Sequence, residues 1–219
     1  MYCAGLPERF AFASRVKVYA VLHGMFKAAV MDDTLDVNPM DKVPRPKQSK
    51  DAALSAEHKA FTAEEMRYIL RCLKEEPLKW QAFVLLLIDT GCRRGEACGL
   101  QWRAVDLDVG TITIERNLQY TAERGVYETM PKNGKVRVVD ISPDVAELLR
   151  ALRRTQPVTV RWVFTQDDSA EPMHPDTPTR YFQRFGKRYG IELDALEQRA
   201  LKLLHSKTGA AIARSVFGV

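Results

Sequence analysis

The chain has 219 residues, of which 46% are apolar and 28% are charged, a balance typical of globular proteins with a buried core. Its 33 Lys and Arg against 28 Asp and Glu give a net charge of +5, which suits a polyanionic partner but is also common in proteins that never bind nucleic acid. The sequence shows neither an apolar run of the roughly 18 residues that a membrane span needs nor a secretion signal. We therefore expect a cytoplasmic protein without a membrane partner.

The cysteine pattern argues against a metal centre. The four cysteines, Cys3, Cys72, Cys92 and Cys98, form neither a Cys-x-x-Cys motif nor a paired set of Cys and His, which zinc sites usually show. The pattern fits a reduced compartment. We expect no metal site.

The first predicted element is an amphipathic helix from Ser14 to about Met31, where apolar residues recur mostly at steps of three and four. It ends before Asn38-Pro39, because the residue preceding a proline disfavours helix. The stretch from Asp41 to Ala60 is rich in Lys and Pro, which indicates an extended basic linker. We place a helical domain at residues 1–46 and a linker at residues 47–60.

A second block of helices is predicted to begin at a capping box. Thr62 followed by Glu65 is the Thr-x-x-Glu pattern in which each side chain bonds the other residue's backbone N–H. A more buried helix spans Trp80 to Ile88, Thr90-Gly91 interrupts it, and a helix restarts from Arg94 to Leu100.

The pattern changes to strands after Trp102. Thr111 to Ile114 alternates with the two-residue period of a strand, and Val126 to Met130 and Val136 to Ile141 can pair. Asn133-Gly134 lies between the last two and is a strong hairpin signal, because both turn residues must accept positive φ. We therefore expect a hairpin closed by this turn.

Two further helices complete the predicted fold. Ser142-Pro143 places a capping residue before a proline at the first helical position, and Thr177-Pro178 begins the last helix. The predicted fold class is mainly α with a small antiparallel β-sheet (α+β).

The segment from Thr90 to Leu100 carries the first cluster of candidate functional residues. Arg93 and Arg94 stand at a predicted helix start, and Glu96 lies three residues after Arg93 on the same face. A planar guanidinium can bind a phosphate through two hydrogen bonds, a helix N-terminus favours negative charge, and Glu96 can hold the arginine in one rotamer. Spacing alone also allows a surface ion pair of little energetic value.

The second candidate cluster lies at the tip of the predicted hairpin. Lys132 and Lys135 are placed there, where an ammonium can contact DNA or donate a proton to a leaving oxygen. Alternatively, lysines at a strand edge only prevent aggregation. The residues alone leave both interpretations open.

Taken together and in this order, the two clusters resemble the phage integrase family of tyrosine recombinases. The stretch from Leu85 to Trp102, followed by Val105-Asp106-Leu107, is similar to the family's first arginine box almost position by position. Val37-Asn38-Pro39 resembles the end of the core-binding domain, and Phe61 to Glu65 resembles the start of the catalytic domain. The resemblance implies an incomplete tyrosine recombinase catalytic-domain fold at residues 61–192, after a remnant of the helical, SAM-like core-binding domain.

The resemblance also implies roles for particular residues. Arg93 corresponds to the family's first active-site arginine, Glu96 to the acidic residue that supports it, and Lys132 to the lysine that protonates the leaving 5′-hydroxyl, a role that fits Lys135 less well. In the family a tyrosine attacks the scissile phosphate without metal or nucleotide cofactor, and the cations stabilise the developing charge. The expected DNA-contacting residues are Arg94, Lys135, Arg137, Arg45 and Lys47. The expected partners are double-stranded DNA and other recombinase subunits.

The sequence departs from the family pattern after Ile191. The resemblance implies a His-x-x-Arg box and a nucleophilic tyrosine there, but none of the four His is followed three residues later by Arg, and the last tyrosine is Tyr189. Tyr181 and Tyr189 lie at helical spacing with two Phe residues, which favours core packing. We expect a truncated or frameshifted member without the second box or the nucleophile, and with an atypical tail at residues 193–219.

Two hypotheses about function follow. The first is a DNA-binding protein of site-specific recombination and integration that does not exchange strands by itself. The second is a non-catalytic regulatory protein that binds DNA, or that binds an intact recombinase through exposed apolar surface.

Overall fold

The computed structural model describes residues 12–47, 61–131 and 134–191. The chain divides into two compact units, residues 1–57 and residues 58–219, and each is described by itself. None of the described helices is both long and apolar enough to cross a membrane. The domain limits given above stay predictions, and the predicted tail lies outside the described residues.

The described part of the first unit consists of one helix and the turns that follow it. The helix predicted from Ser14 to Met31 is confirmed as α1 (Phe12–Met31). Asn38 ties the following turns to α1, because its Nδ2 donates to the carbonyl of His23 at 3.2 Å and its Oδ1 accepts from the backbone N–H of Met40 at 2.9 Å.

The second unit begins with the predicted capping box. The backbone N–H of Glu65 donates to Oγ1 of Thr62 at 3.1 Å, and the N–H of Thr62 donates to Oε2 of Glu65 at 2.7 Å. This pair starts α2 (Ala63–Lys74), which is followed by α3 (Leu78–Thr90). Gly91 then ends α3 with a φ of 61°, a conformation that glycine adopts without strain.

The strands of the second unit form two antiparallel sheets. One sheet has the order β1-β2-β5, with β1 at Val105–Asp106, β2 at Thr111–Ile114 and β5 at Arg137–Asp140. The other is a hairpin of β3 (Asn117–Thr121) and β4 (Gly125–Thr129).

The predicted hairpin between Val126–Met130 and Val136–Ile141 is wrong. β4 pairs with β3 across a three-residue turn, and β5 pairs with β2. The strand nearest in sequence takes β4 as its partner, because closing a short loop loses less chain entropy than closing a long one. The pattern gave no signal for β3, since Asn117–Thr121 is largely polar.

The link between β4 and β5 therefore joins two sheets. Gly134 in this link has a φ of 64°, as a glycine in a turn can adopt. Lys135 beside it is exposed, whereas Lys132 and Asn133 lie outside the described residues.

The last two predicted helices are confirmed as α5 (Pro143–Arg154) and α6 (Thr177–Tyr189). Ser142 is the N-cap residue of α5, but its side chain makes no capping hydrogen bond. Instead, its backbone N–H donates to Oδ2 of Asp89 at 2.6 Å, which ties the start of α5 to α3.

The hydrophobic core of the second unit draws on α2, α3, α5, α6, β2 and β3, and on residues outside them such as Trp162, Val163 and Phe164. The rings of Trp80 and Tyr181 stack with their centroids 3.6 Å apart, and those of Phe83 and Phe164 meet edge to face at 4.9 Å. Tyr181 and Tyr189 pack on this core, the former buried and the latter half-buried, as predicted from their spacing in the sequence.

Candidate functional site

Arg93 occupies the junction between two helices. It is the N-cap of a one-turn helix, α4 (Arg94–Cys98), and has the extended backbone of such a residue, with φ −73° and ψ 153°. Its backbone N–H donates to Oε2 of Glu96 at 2.8 Å, and its Nη1 donates to Oε1 at 3.0 Å. The Arg-x-x-Glu spacing therefore fixes both the backbone and the side chain of Arg93.

Gly95 lets this helix approach β3. A Cβ at Gly95 would lie 2.3 Å from Oδ1 of Asn117 and 2.5 Å from the carbonyl oxygen of Leu118. No side chain fits at such distances. The glycine between the arginines and Glu96 is thus required by the contact of α4 with the β3–β4 hairpin.

Glu96 also binds a second arginine, from β5. Its side chain is fully buried, and it accepts hydrogen bonds from Nη1 of Arg137 at 3.1 Å and from Nη2 at 2.6 Å. Burial by itself raises the pKa of a carboxyl, but the hydrogen bonds from Arg137 and Arg93 outweigh burial and hold the pKa of Glu96 below its usual range. Glu96 is therefore an ionised carboxylate shared by two guanidinium groups.

The alternation of β5 explains why Arg137 reaches Glu96. Arg137 and Val139 are the partly buried positions of the strand, while Val138 and Asp140 are exposed. An arginine on the inner face of a strand needs a buried acceptor, because an unpaired buried charge is strongly destabilising. The hydrogen bonds to Glu96 raise the pKa of Arg137 above its ordinary value.

Arg93 offers the most accessible guanidinium of this group. Its side chain is 51% exposed, whereas that of Glu96 is 0% exposed. Of the side-chain nitrogens of Arg93, Nη1 donates to Glu96, whereas Nε and Nη2 have no hydrogen-bond acceptor among the residues that the structure describes. A guanidinium fixed on one side and open on the other can bind an oxyanion such as a phosphate.

Arg94 is directed away from Glu96. Its Nη1 donates to Oγ1 of Thr179, and its Nη2 lies 3.7 Å from Oδ1 of Asp176. Both partners stand at the start of α6. The two neighbouring arginines of the motif therefore contact different parts of the fold.

The remaining predicted site residues are less constrained. Lys135 is exposed in the link between the two sheets, and Lys132 lies outside the described residues. Arg45 and Lys47 are exposed in the first unit. The structure thus brings Arg93, Glu96 and Arg137 together.

The cysteines beside the arginines are not nucleophiles. Burial raises the pKa of Cys92 to about 11 and that of Cys98 to about 12. Both thiols are therefore protonated at neutral pH and enclosed by the core.

A polar cluster between the buried carboxylate of Glu76 and side chains of α6 was not predicted. The Glu76 cluster consists of Glu76, Tyr181, Arg188 and Tyr189. Glu76 accepts hydrogen bonds from the hydroxyl of Tyr181, from Nη1 of Arg188 at 2.6 Å and from the hydroxyl of Tyr189 at 3.0 Å. The available signal was the spacing of Tyr181 and Arg188, which lie seven residues apart and so on the same face of a helix. The sequence does not reveal which carboxylate these two side chains contact.

Comparison with known proteins places these features in a family. The model of the phage integrase family matches residues 59–206. The tyrosine recombinase XerA of Pyrococcus furiosus is 26% identical over 137 residues, which are 62% of this chain and 43% of that protein. The ICEBs1 integrase of Bacillus subtilis is 24% identical over 195 residues, which are 87% of this chain and 52% of that protein. The chain thus spans about half the length of these curated relatives.

A solved structure shows the same fold. The Tn1549 transposon integrase, in complex with a circular intermediate DNA, is similar with a TM-score of 0.72 and 16% identity, over 96% of this chain and 76% of that chain. The predicted α+β fold of a tyrosine recombinase catalytic domain is therefore confirmed. Because the family match covers more than half of the 219 residues, the chain belongs to the phage integrase family.

Proposed function

We propose that this chain is a site-specific recombinase or integrase, which binds double-stranded DNA and acts in DNA recombination and integration. The observation that carries this proposal is Arg93, whose guanidinium is fixed by a buried carboxylate on one side and open to solvent on the other. The relatives support it, since they are named as a tyrosine recombinase and an integrase, and the Tn1549 integrase was solved with DNA.

In this proposal Arg93 binds a backbone phosphate and Glu96 keeps it in place. α4 has only five residues, so its dipole adds little, and the full charge of the guanidinium provides the attraction. A cation held in position before the phosphate arrives stabilises charge without reorganisation, which is how such sites lower a barrier to phosphoryl transfer.

The other proposed roles depend on exposed cations. We assign Lys132 the role of proton donor to the leaving oxygen, as the family resemblance implies. Lys135, Arg45 and Lys47 are proposed to contact DNA, and their exposure suits contacts to phosphates. No metal or nucleotide cofactor enters this proposal, and other recombinase subunits are proposed as partners.

Neither tyrosine of α6 is proposed as the nucleophile. The hydroxyls of Tyr181 and Tyr189 donate to the carboxylate of Glu76. Burial and this carboxylate raise the pKa of both phenols above the ordinary value. A phenol that is hard to deprotonate and already bonded to a carboxylate is a poor attacking group.

Salt-dependent binding of a labelled DNA duplex, measured by fluorescence anisotropy, tests this function. Phosphate contacts release counterions, so we expect affinity to fall steeply between about 50 and about 200 mM salt. Arg93→Ala should weaken binding and lower the slope of log affinity against log salt by about one unit. Arg116→Gln is the matched control, because Arg116 is an arginine paired with Glu115 and Glu128, carboxylates outside this site.

Two results would contradict the proposal. Wild-type affinity that does not change with salt would mean that phosphates are not the ligand. Equal effects of Arg93→Ala and Arg116→Gln would mean that Arg93 has no special part in binding.

A further inference from the structure

We propose that Arg137 is a positioning residue, which holds Glu96 and through it sets the guanidinium of Arg93 in the geometry that grips a phosphate. This inference rests on the proposed function. It assigns to Arg137 an indirect role, distinct from the DNA contact that the sequence predicts.

The first step of the reasoning is the sharing of one carboxylate. Both Glu96 oxygens accept from Arg137, Oε1 from Nη1 and Oε2 from Nη2. The same two oxygens accept from the side chain and from the backbone N–H of Arg93. A bidentate pair fixes the carboxylate plane, so Arg137 also sets the direction in which Glu96 holds Arg93.

The second step concerns the charge of Glu96. Its side chain is fully buried, and desolvation favours the neutral acid. The hydrogen bonds from Arg137 are the largest influence that opposes burial. Without them the pKa of Glu96 should rise, and a neutral carboxyl would hold the guanidinium of Arg93 less firmly.

The third step distinguishes the two arginines. The Nη groups of Arg137 are both bonded to Glu96, and its side chain is 36% exposed. Arg93 gives one Nη to Glu96 and is 51% exposed. A phosphate that approaches from solvent thus meets the more exposed guanidinium of Arg93, while one N–H of each Nη of Arg137 is already used by Glu96.

NMR titration of the Glu96 side-chain carboxyl tests the inference without DNA. The signal is assigned by its loss in Glu96→Gln. Arg137→Gln should move the titration midpoint of Glu96 to higher pH, whereas the control Arg116→Gln should leave it unchanged. An unchanged midpoint in Arg137→Gln would overturn the inference whether or not the protein binds DNA.

A double-mutant cycle on duplex binding supplies the second test. We expect Arg137→Gln alone to weaken binding about tenfold, a coupling that is ordinary for residues in contact. In the Arg93→Ala background the same substitution should have no further effect. If the losses of affinity in Arg93→Ala and Arg137→Gln add, and each substitution lowers the salt slope by about one unit, Arg137 contacts DNA itself and the positioning role is wrong.

The control for folding is a conservative variant. Arg137→Lys keeps the charge but offers one point donor instead of a fork, so its affinity should lie between those of wild type and Arg137→Gln. If Arg137→Gln does not fold, Arg137→Lys takes its place in the cycle. Absence of DNA binding by the wild type would reject the proposed function, and the NMR titration would still decide the positioning role.

Discussion

Gly95 determines how closely the arginine motif approaches the β3–β4 hairpin. Its missing Cβ leaves the space that Asn117 and the carbonyl of Leu118 occupy. Because Asn117 also bonds Thr129 on β4, a side chain at residue 95 would push against both strands of the hairpin. The motif thus depends on a residue that carries no functional group.

We expect Gly95→Ala to lower the free energy of unfolding of the second unit by about 1–3 kcal/mol, because backbone atoms must move to admit the methyl group. Gly99→Ala is the matched control, since the nearest atoms to its Cβ would be 3.2 to 3.4 Å away and need to shift only slightly. Denaturation followed by tryptophan fluorescence measures both, because Trp80, Trp102 and Trp162 all lie in this unit. Equal losses would mean that the approach of α4 to β3 is not a constraint.

At the residue scale, short-range pairings could be predicted and long-range pairings could not. The contact of Arg93 with Glu96 follows from a spacing of three residues on one turn of chain. The contact of Arg137 with Glu96 spans 41 residues and depends on β5 pairing with β2. Because the pairing of β5 was predicted wrongly, the partner of Arg137 could not be found from the sequence.

At the scale of elements, the Glu76 cluster attaches α6 to the turn between α2 and α3. Glu76 is almost fully buried, and its carboxylate receives three donors from α6. Tyr68 on α2 also donates to the backbone carbonyl of Tyr189 at 3.1 Å. Polar bonds of this kind orient a helix that already buries aromatic side chains.

Glu76→Gln should destabilise the second unit by roughly 1–3 kcal/mol, because the amide replaces one acceptor oxygen with a donor group and leaves buried polar atoms without partners. The substitution should accelerate the exchange of backbone amide hydrogens more in α6 than in α5. Glu75→Gln, which changes a neighbouring exposed carboxylate, should leave exchange unaltered. Unchanged protection of α6 in Glu76→Gln would show that aromatic packing alone holds the helix.

The predictions of helices were correct where interactions within one turn of chain determine the structure. The capping box at Thr62 and Glu65, the glycine stop at Gly91 and the proline start at Pro143 all act within one turn of chain. The hairpin at Asn133-Gly134 failed because a turn sequence permits a reversal without choosing the strands that pair. β3, which has few apolar residues, was not predicted, and it is the strand that pairs with β4.

At the scale of the whole molecule, the division into two units has a consequence for stability. The hydrophobic core cluster is drawn from residues between Phe61 and Phe185, all within the second unit. A unit that supplies its own core is expected to fold by itself.

Residues 58–219 expressed alone should therefore keep the tryptophan emission and the unfolding midpoint of the full chain. They should also bind duplex DNA with a smaller salt slope, lower by up to about two units, because Arg45 and Lys47 are removed. Fluorescence-detected denaturation and anisotropy measure the two effects. Emission shifted to that of exposed tryptophan would show that the second unit needs the first.

The opposed directions of Arg93 and Arg94 restrict how the length of this segment can vary. One arginine faces β5 through Glu96, and its neighbour faces the start of α6. Inserting or deleting one residue here would rotate the side chains on one side of the change by roughly 100° about the helix axis relative to those on the other side, so the two arginines could not both keep their partners. Insertions should accordingly be tolerated in the solvent-facing turn between β3 and β4, and rejected between Gly91 and Glu96.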